Sequence, residues 1–169
     1  PLPDGLSESE FVDGILAAVA FNADRTDPET LWLRYLTVRS DFRGSGLALG
    51  PRLAVSITDR AAATGYETVR IAVNNVFSYH ALLKAGFATT GRETGLAELV
   101  LERPAAERAE VSAATYQAGL DRFREREGLS TAEREFLAAH EDAEPPEPIG
   151  SPAPAAVDSG VSNPQRPSE

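Results

Sequence analysis

Residues 31–60 decide the fold, and they read LWLRYLTV RSDFRGSGLALG PRLAVSITDR. The first segment, Leu31–Val38, is rich in aromatic and branched residues and predicts a β-strand. A loop with three glycines follows over Arg39–Gly50. Leu53–Thr64 carries apolar residues at helical spacing and predicts a helix that ends at Gly65, where glycine fits a cap with positive φ. Strand, glycine loop and helix together form the start of an α/β domain.

The glycine loop predicts an anion site. A glycine-rich turn ahead of a helix leaves backbone N–H groups unpaired, and the helix dipole adds positive potential there. No Gly-Lys-Ser/Thr follows, so the loop is not a P-loop. Gly44, Gly46 and Gly50 are spaced G-x-G-x-x-x-G, which differs from the dinucleotide fingerprint.

Further elements follow on both sides of this unit. Upstream, Phe11–Phe21 predicts a strand, or a hairpin that turns near Asp13-Gly14, and Asn22–Thr30 predicts a turn. Downstream, the sequence predicts a strand, a short helix that stops at Gly86 and a final antiparallel pair with Gly91 and Gly95 in its turn. Their bounds are Thr68–Val73, Val76–Lys84, Phe87–Thr90 and Leu96–Leu101.

Two sequence blocks carry a family resemblance. Residues 43–48, RGSGLA, fit R-x-x-G-x-[GA] directly after a predicted strand. Asn75 and, eleven residues on, Gly86-Phe87 fit the block N-x-x-A-x-x-L-Y-x-K-x-G-F. Over roughly residues 29–103 the chain therefore resembles the GNAT superfamily of acetyl-CoA-dependent N-acetyltransferases.

The resemblance implies an acetyl-CoA site without a metal. The strand before the loop would splay from its neighbour and bind the pantetheine arm through its backbone. The pyrophosphate would lie on the loop N–H groups beside Arg43, and Asn75 would bind the pantetheine arm or the thioester end. The implied contact residues are Leu36, Thr37, Val38, Arg43, Gly44, Ser45, Gly46, Leu47, Ala48, Leu49 and Asn75.

Two positions depart from the family pattern. Leu82 stands where many members carry a tyrosine as general acid, and Arg70 stands where some carry a glutamate as general base. Tyr79 and His80 are the candidate substitutes for these groups. Tyr79 is favoured as the acid, because three residues along a helix return to nearly the same face. A packing role for Tyr79 is the alternative. His80 points elsewhere on the helix and is interpreted as a surface residue.

The implied fold class is α/β, with a GNAT-type mixed central sheet flanked by helices. The residues ahead of Leu31 leave no room for the strand and two helices with which the family fold usually begins, so we expect these to be missing, either in a trimmed domain or in a fragment. The predicted divisions are an acetyl-CoA-binding domain over residues 1–104, a helical appendage over 105–142 and a disordered acidic tail over 143–169.

The appendage carries an apolar stripe on a charged helix. Within Val111–Glu127, the residues Tyr116, Leu120 and Phe123 lie on one face, and Gly128 is predicted to end the helix. Ser130 followed by Glu133 predicts a capping box that opens a second helix. The stripe must be buried, either on the same chain or on a second copy in a homodimer.

Composition excludes several classes of protein. The net charge of −10 disfavours nucleic-acid and membrane surfaces as partners. The chain has no cysteine and only two histidines, which excludes disulfides and multi-histidine zinc sites. No basic, apolar leader is visible, and we expect a cytoplasmic protein. Lys84 is the only lysine, so the acidic composition suggests either adaptation to concentrated salt or a GC-rich genome.

These observations favour an N-acetyltransferase that moves an acetyl group from acetyl-CoA to a primary amine by direct attack. The amine is a small molecule or a protein. Leu82 and Arg70 keep open a second interpretation, a module that binds acyl-CoA without turnover and serves as a regulator or partner subunit. A third interpretation is a structural domain whose helices mediate assembly.

Overall fold

A computed structural model describes residues 14–150 of the 169-residue chain. It contains a five-stranded sheet in the order β1-β2-β3-β5-β4, in which β2 and β3 are parallel and the other neighbours are antiparallel. The strands are β1 Ala17–Ala23, β2 Thr30–Val38, β3 Thr68–Val73, β4 Ala88–Glu93 and β5 Leu99–Pro104. The helices are α1 Leu49–Ala63, α2 Val76–Lys84, α3 Ala113–Arg124 and α4 Thr131–Ala139. This mixed sheet with flanking helices confirms the predicted α/β class, while the hairpin turn predicted at Asp13-Gly14 falls partly outside the described residues.

The two faces of the sheet differ in polarity because side chains alternate along each strand. One face packs under the helices and forms the core with residues that include Leu31, Leu33, Val69, Ile71, Val73, Leu99 and Leu101. On the opposite face, Trp32, Arg70 and Glu102 lie side by side across β2, β3 and β5. The helices therefore cover the apolar face.

Helix α1 begins at Leu49, four residues before the predicted start. The prediction missed this turn because Gly50 and Pro51 discourage a helix interior, but both are tolerated in a first turn, where backbone N–H groups lack intrahelical partners anyway. Gly65, at φ +92°, follows the helix as predicted, and its N–H donates to the Ala62 carbonyl at 3.1 Å. Strand β3 and helix α2 have the predicted bounds.

The predicted start of β5 is wrong by three residues. The segment from Thr94 to Glu98 is a closed turn, in which the Ala97 N–H donates to the Thr94 carbonyl at 2.9 Å. Gly91, at φ +72°, is part of β4, where the pairing with β5 is irregular, and does not belong to the turn. Leu96 is 84% exposed, so its apolar character did not indicate a strand.

The apolar stripe of α3 packs in cis. Tyr116, Leu120 and Phe123 are at most 1% exposed and belong to the same core cluster as the strands. Gly119 makes the contact close, since a Cβ there would lie 2.0 Å from the Tyr79 hydroxyl oxygen. Helix α3 ends at Arg124, before the predicted stop, and α4 opens with the predicted capping box.

The first part of the predicted disordered tail contacts the domain. The Ile149 N–H donates to the Lys84 carbonyl at 2.8 Å, and Arg108 donates to the Ile149 carbonyl at 2.7 Å. Gln117 donates to the Ala143 carbonyl at 2.8 Å. Residues 143–150 thus form a strap with hydrogen-bonded ends, which composition did not reveal; residues 151–169 lie outside the described part.

Candidate functional site

Strands β2 and β3 diverge halfway along their length. Their parallel pairing runs from Thr30 and Thr68 to Leu33 and Ile71 and stops there. Strand β2 continues to Val38 against β1, and β3 continues against β5. The edge of β2 that faces β3 therefore has no ladder partner over its second half.

A β-bulge marks the point of divergence. Ala20 pairs with Tyr35 and Phe21 pairs with Leu33, so Arg34 has no β1 partner in the register. A bulge bends its strand and increases the local twist. The extra residue turns β2 away from β3 at the position where their pairing ends.

A cleft of about 1050 Å³ opens at this divergence. It is lined by the second half of β2, the glycine loop, the start of α1, the end of β3 and one face of α2. Of the contact residues implied by the resemblance, the structure brings together Leu36, Thr37, Val38, Arg43, Gly44, Ser45, Gly46, Ala48, Leu49 and Asn75. Leu47 is not among the lining residues, and its side chain is 46% exposed.

The glycine loop presents unpaired backbone donors. Within the described chain, the N–H groups of Gly44, Gly46, Leu47 and Ala48 have no hydrogen-bond acceptor, whereas Ser45 N–H is committed to the Phe42 carbonyl at 3.4 Å. Because this hydrogen bond occupies the Ser45 N–H, Ser45 is not one of the free backbone donors that the resemblance implied.

Backbone conformation and the following helix make the loop suited to an anion. Gly44 and Gly46 have φ of 72° and 82°, and Ala48 caps α1 at φ 51°, a region that non-glycine residues seldom occupy. The first residues of α1 add their own unpaired N–H groups and the positive end of the helix dipole. Such a concavity binds phosphate oxygens.

Arg43 and Asn75 both have structural contacts as well as a place on the cleft. Arg43 Nε donates to the Val38 carbonyl at 2.8 Å and closes the end of β2. Asn75 caps α2, accepting the Ser78 N–H at 2.8 Å. Each side chain retains donors that these bonds do not use.

The structure does not bring Tyr79 to the cleft. Its side chain is 0% exposed, its hydroxyl donates to the Tyr116 carbonyl at 3.2 Å, and its ring stacks on the Tyr116 ring. Burial raises the pKa of Tyr79 well above its usual value. The geometry therefore supports the packing alternative and corrects the suggestion that Tyr79 protonates a leaving group.

His80 lines the cleft and is half-buried, which corrects its interpretation as a surface residue. Its Nδ1 lies 2.9 Å from the Tyr116 hydroxyl oxygen, and its ring meets Phe136 and His140 edge-on. Burial, with smaller contributions from Lys84 and His140, lowers the pKa of His80 to about 4, so the ring is neutral at pH 7. The partners come from α3 and α4, and no local sequence signal could have found them.

Arg70 lies in an ion-pair network on the open face of the sheet. It contacts the carboxylates of Asp24 at 2.7 Å and Glu102 at 2.6 Å, and Glu102 also accepts from Arg92 at 2.6 Å. The Thr26 N–H, the Thr26 hydroxyl and Arg70 lower the pKa of Asp24. This network borders a second, smaller cavity of about 400 Å³.

Residues 14–150 contain neither a cluster of metal-ligating side chains nor a membrane-spanning helix. No group of three or more histidine or acidic side chains there is arranged to hold a metal ion. None of the helices in that range is long and apolar enough to cross a bilayer.

The chain is similar to solved protein structures. No protein-family profile and no curated protein sequence matches the chain. A Bacillus subtilis acetyltransferase solved in complex with CoA is similar at 17% identity and a TM-score of 0.46, covering 54% of this chain and 70% of that chain.

Proposed function

We propose that this chain binds acetyl-CoA in the cleft between β2 and β3 and transfers the acetyl group to a primary amine. The observation that carries the proposal is the juxtaposition of an unpaired strand edge with a loop of free N–H groups. One ligand with an amide-bearing arm and a pyrophosphate would occupy both. The GNAT resemblance of residues 43–48 and Asn75 supports the same assignment.

The two halves of the cleft fit the two halves of CoA. The pantetheine arm carries amide groups, and the free edge of β2 at Leu36 offers backbone groups to pair with them. The pyrophosphate is a dianion, and Gly44, Gly46 and Ala48 offer N–H groups at positive φ beside the Arg43 guanidinium. When bound, acetyl-CoA supplies an activated thioester.

The chain contributes positioning more than proton transfer. The amine nitrogen forms a bond to the thioester carbonyl carbon, the C–S bond breaks, and the electron pair leaves on sulfur. The acceptor ammonium loses one proton to solvent before attack, and its second proton ends on the sulfur. Holding both reactants in one cleft removes much of the entropic barrier. No cysteine is present to form a thioester intermediate on the enzyme.

A module that binds acyl-CoA without turnover is the second candidate. Leu82 cannot carry a proton, Arg70 is held in ion pairs on the open face, and Tyr79 is buried between α2 and α3. None of these three positions presents a usable group to the cleft, which favours the module. His80 does line the cleft with a ring that is neutral at pH 7, and a turnover measurement separates the module from the enzyme.

The deciding experiment measures binding and turnover together. Calorimetry with CoA tests the cleft, and a thiol reagent detects CoA released from acetyl-CoA in the presence of a panel of primary amines. The chain has no thiol of its own, so the readout has no protein background. Binding with amine-dependent release supports the enzyme, binding without release supports the module, and absence of CoA binding contradicts both.

A further inference from the structure

The charged residues on the cleft are distributed unevenly. Among the described lining residues, Arg34, Arg43 and Lys84 are cationic, and Glu98 is the one carboxylate. Arg43 follows the end of β2, and Glu98 precedes the start of β5. Because β3 lies between these strands and β5 runs antiparallel to it, Arg43 and Glu98 lie at the same edge of the sheet, on opposite sides of β3.

Local hydrogen bonds hold the Glu98 side chain in place. The Thr94 hydroxyl donates to Glu98 Oε2 at 3.1 Å and accepts the Glu98 N–H at 3.3 Å. Glu98 Oε1 has no hydrogen-bond partner within residues 14–150. The carboxylate is thus oriented by one oxygen and leaves the other for a ligand.

The segment that follows α3 also holds the turn that carries Glu98. Arg126, just beyond the helix, donates from Nη1 to the Asn74 carbonyl at 2.7 Å and from Nη2 to the Ala97 carbonyl at 2.5 Å. One guanidinium therefore ties the residue before Glu98 to the end of β3, at the cleft. Such bracing keeps a side chain oriented before a ligand arrives.

We propose that Glu98 binds the ammonium group of the acceptor and makes the cleft select cationic primary amines. This inference rests on the proposed function and deepens it by naming the residue and the charge class of the acceptor. The anionic phosphates would lie on the loop beyond β2, and the cationic acceptor would approach from the turn before β5. The unequal charge distribution of the cleft matches a pair of ligands with opposite charge.

The test compares Glu98→Gln with Glu93→Gln. Glu93 is an exposed glutamate on β4, in the same hairpin, but it borders the smaller cavity and not the cleft. Glutamine keeps the size of the side chain and an oxygen that can accept from Thr94, so the turn is retained. Glu98→Asp keeps the charge on a shorter side chain.

We expect Glu98→Gln to raise the KM for primary amines by about 10- to 100-fold at saturating acetyl-CoA, the range for a lost hydrogen bond to a charged group. The Kd for CoA should stay unchanged. The amine KM of Glu98→Asp should lie between those of the wild type and Glu98→Gln. The amine KM of Glu93→Gln should match that of the wild type. An unchanged amine KM in Glu98→Gln, or an equal loss of CoA affinity, would overturn the proposal.

A second measurement separates this proposal from the proposed transferase activity. Calorimetry of n-butylammonium and of neutral n-butanol on the CoA-saturated protein reports acceptor binding without turnover. Selective binding of the ammonium that Glu98→Gln abolishes supports the Glu98 site even if no amine is acetylated. If the wild type binds neither compound, or binds both alike, the Glu98 proposal is wrong, whatever the outcome of the turnover assay.

Discussion

The cleft and the smaller cavity differ in how their polar groups are satisfied. Around the smaller cavity, Arg70 pairs with Asp24 and Glu102, and Arg92 pairs with Glu102. Around the larger cleft, the loop N–H groups of Gly44, Gly46 and Ala48 have no partner in the described chain. The smaller cavity is bordered by charges that pair with one another, and the larger cleft is bordered by donors that the proposed ligand would satisfy.

This difference distinguishes a structural ion-pair network from the proposed binding site. Gly44 and Gly46 are exposed, so water can satisfy their N–H groups, and a ligand can displace that water. The charges of the ion-pair network already have protein partners and offer less to a ligand. The comparison predicts that changes at the cleft affect ligand binding, whereas changes at the ion-pair network affect the stability of the fold.

The largest expected effect is that of Gly46→Val on CoA binding. A side chain at Gly46 would project where the backbone must approach phosphate, and φ +82° is unfavourable for a branched residue. Each hydrogen bond to a charged group is worth about 1.5–3 kcal/mol, so we expect CoA affinity to fall by about 100-fold. Calorimetry measures the change.

Gly65→Val is the matched control for that variant. Gly65 has a similar φ of 92° but ends α1 and does not line the cleft. Both variants incur backbone strain of about 1–3 kcal/mol. If they weaken CoA binding equally, the effect comes from destabilisation, and the phosphate assignment of the loop fails.

The next effect in size concerns Arg70→Leu. Removing one partner leaves the Asp24 carboxylate, whose side chain is 6% exposed, without its ion pair. We expect the melting temperature to fall by roughly 5–10 °C, with an unchanged Kd for CoA. Arg92→Leu, at an exposed position, should have a much smaller effect. A loss of CoA affinity without a loss of stability in Arg70→Leu would contradict the distinction between the two cavities.

His80 predicts a smaller, pH-dependent effect. Burial, Lys84 and His140 lower its pKa to about 4, below the unfolded value near 6.5, so the unfolded chain binds more protons between these values. The contribution of the neutral His80 ring to the free energy of unfolding is fully present above about pH 6.5, and it is lost as the pH falls towards 4. The melting temperature of the wild type should follow this course, and His80→Asn should flatten it. If the melting temperatures of the wild type and His80→Asn change in parallel with pH, the lowered pKa of His80 is refuted.

The smallest expected effect is that of the strap. A chain ending at residue 150 should melt like the full chain, because the strap contacts are kept. A chain ending at residue 142 loses the Ile149 hydrogen bonds to Lys84 and Arg108, so its melting temperature should fall by roughly 2–5 °C. Identical melting of the two truncated proteins would show that the strap adds nothing to stability.

Local patterns were enough to predict the regular elements around the cleft. The bounds of β3 and α2 follow from alternation, from the Asn75 cap and from Gly86 after the helix, all of which act within a few residues. The start of α1 could not be predicted in the same way. Its first turn contains Gly50 and Pro51 and is held by packing, since Gly50 lies over Leu36 and Val38.

The directions of the side chains on α2 could not be predicted from the sequence. Helical spacing could not tell that Tyr79 points into the core and His80 towards the cleft, because the deciding partners are Tyr116 and His140. These partners lie on α3 and at the C-terminal cap of α4, far along the chain. Glu98 was missed for a similar reason, since Arg126 braces its turn from beyond α3.

The close contact of Gly119 with Tyr79 has a consequence for folding during synthesis. All five strands and both helices of the cleft lie within the first 104 residues, yet the side of α2 that carries Tyr79 is covered by α3. On the ribosome, that surface stays uncovered until Tyr116, Gly119 and Phe123 have emerged. A nascent chain that already contains the whole glycine loop therefore still exposes part of its core until α3 packs on α2.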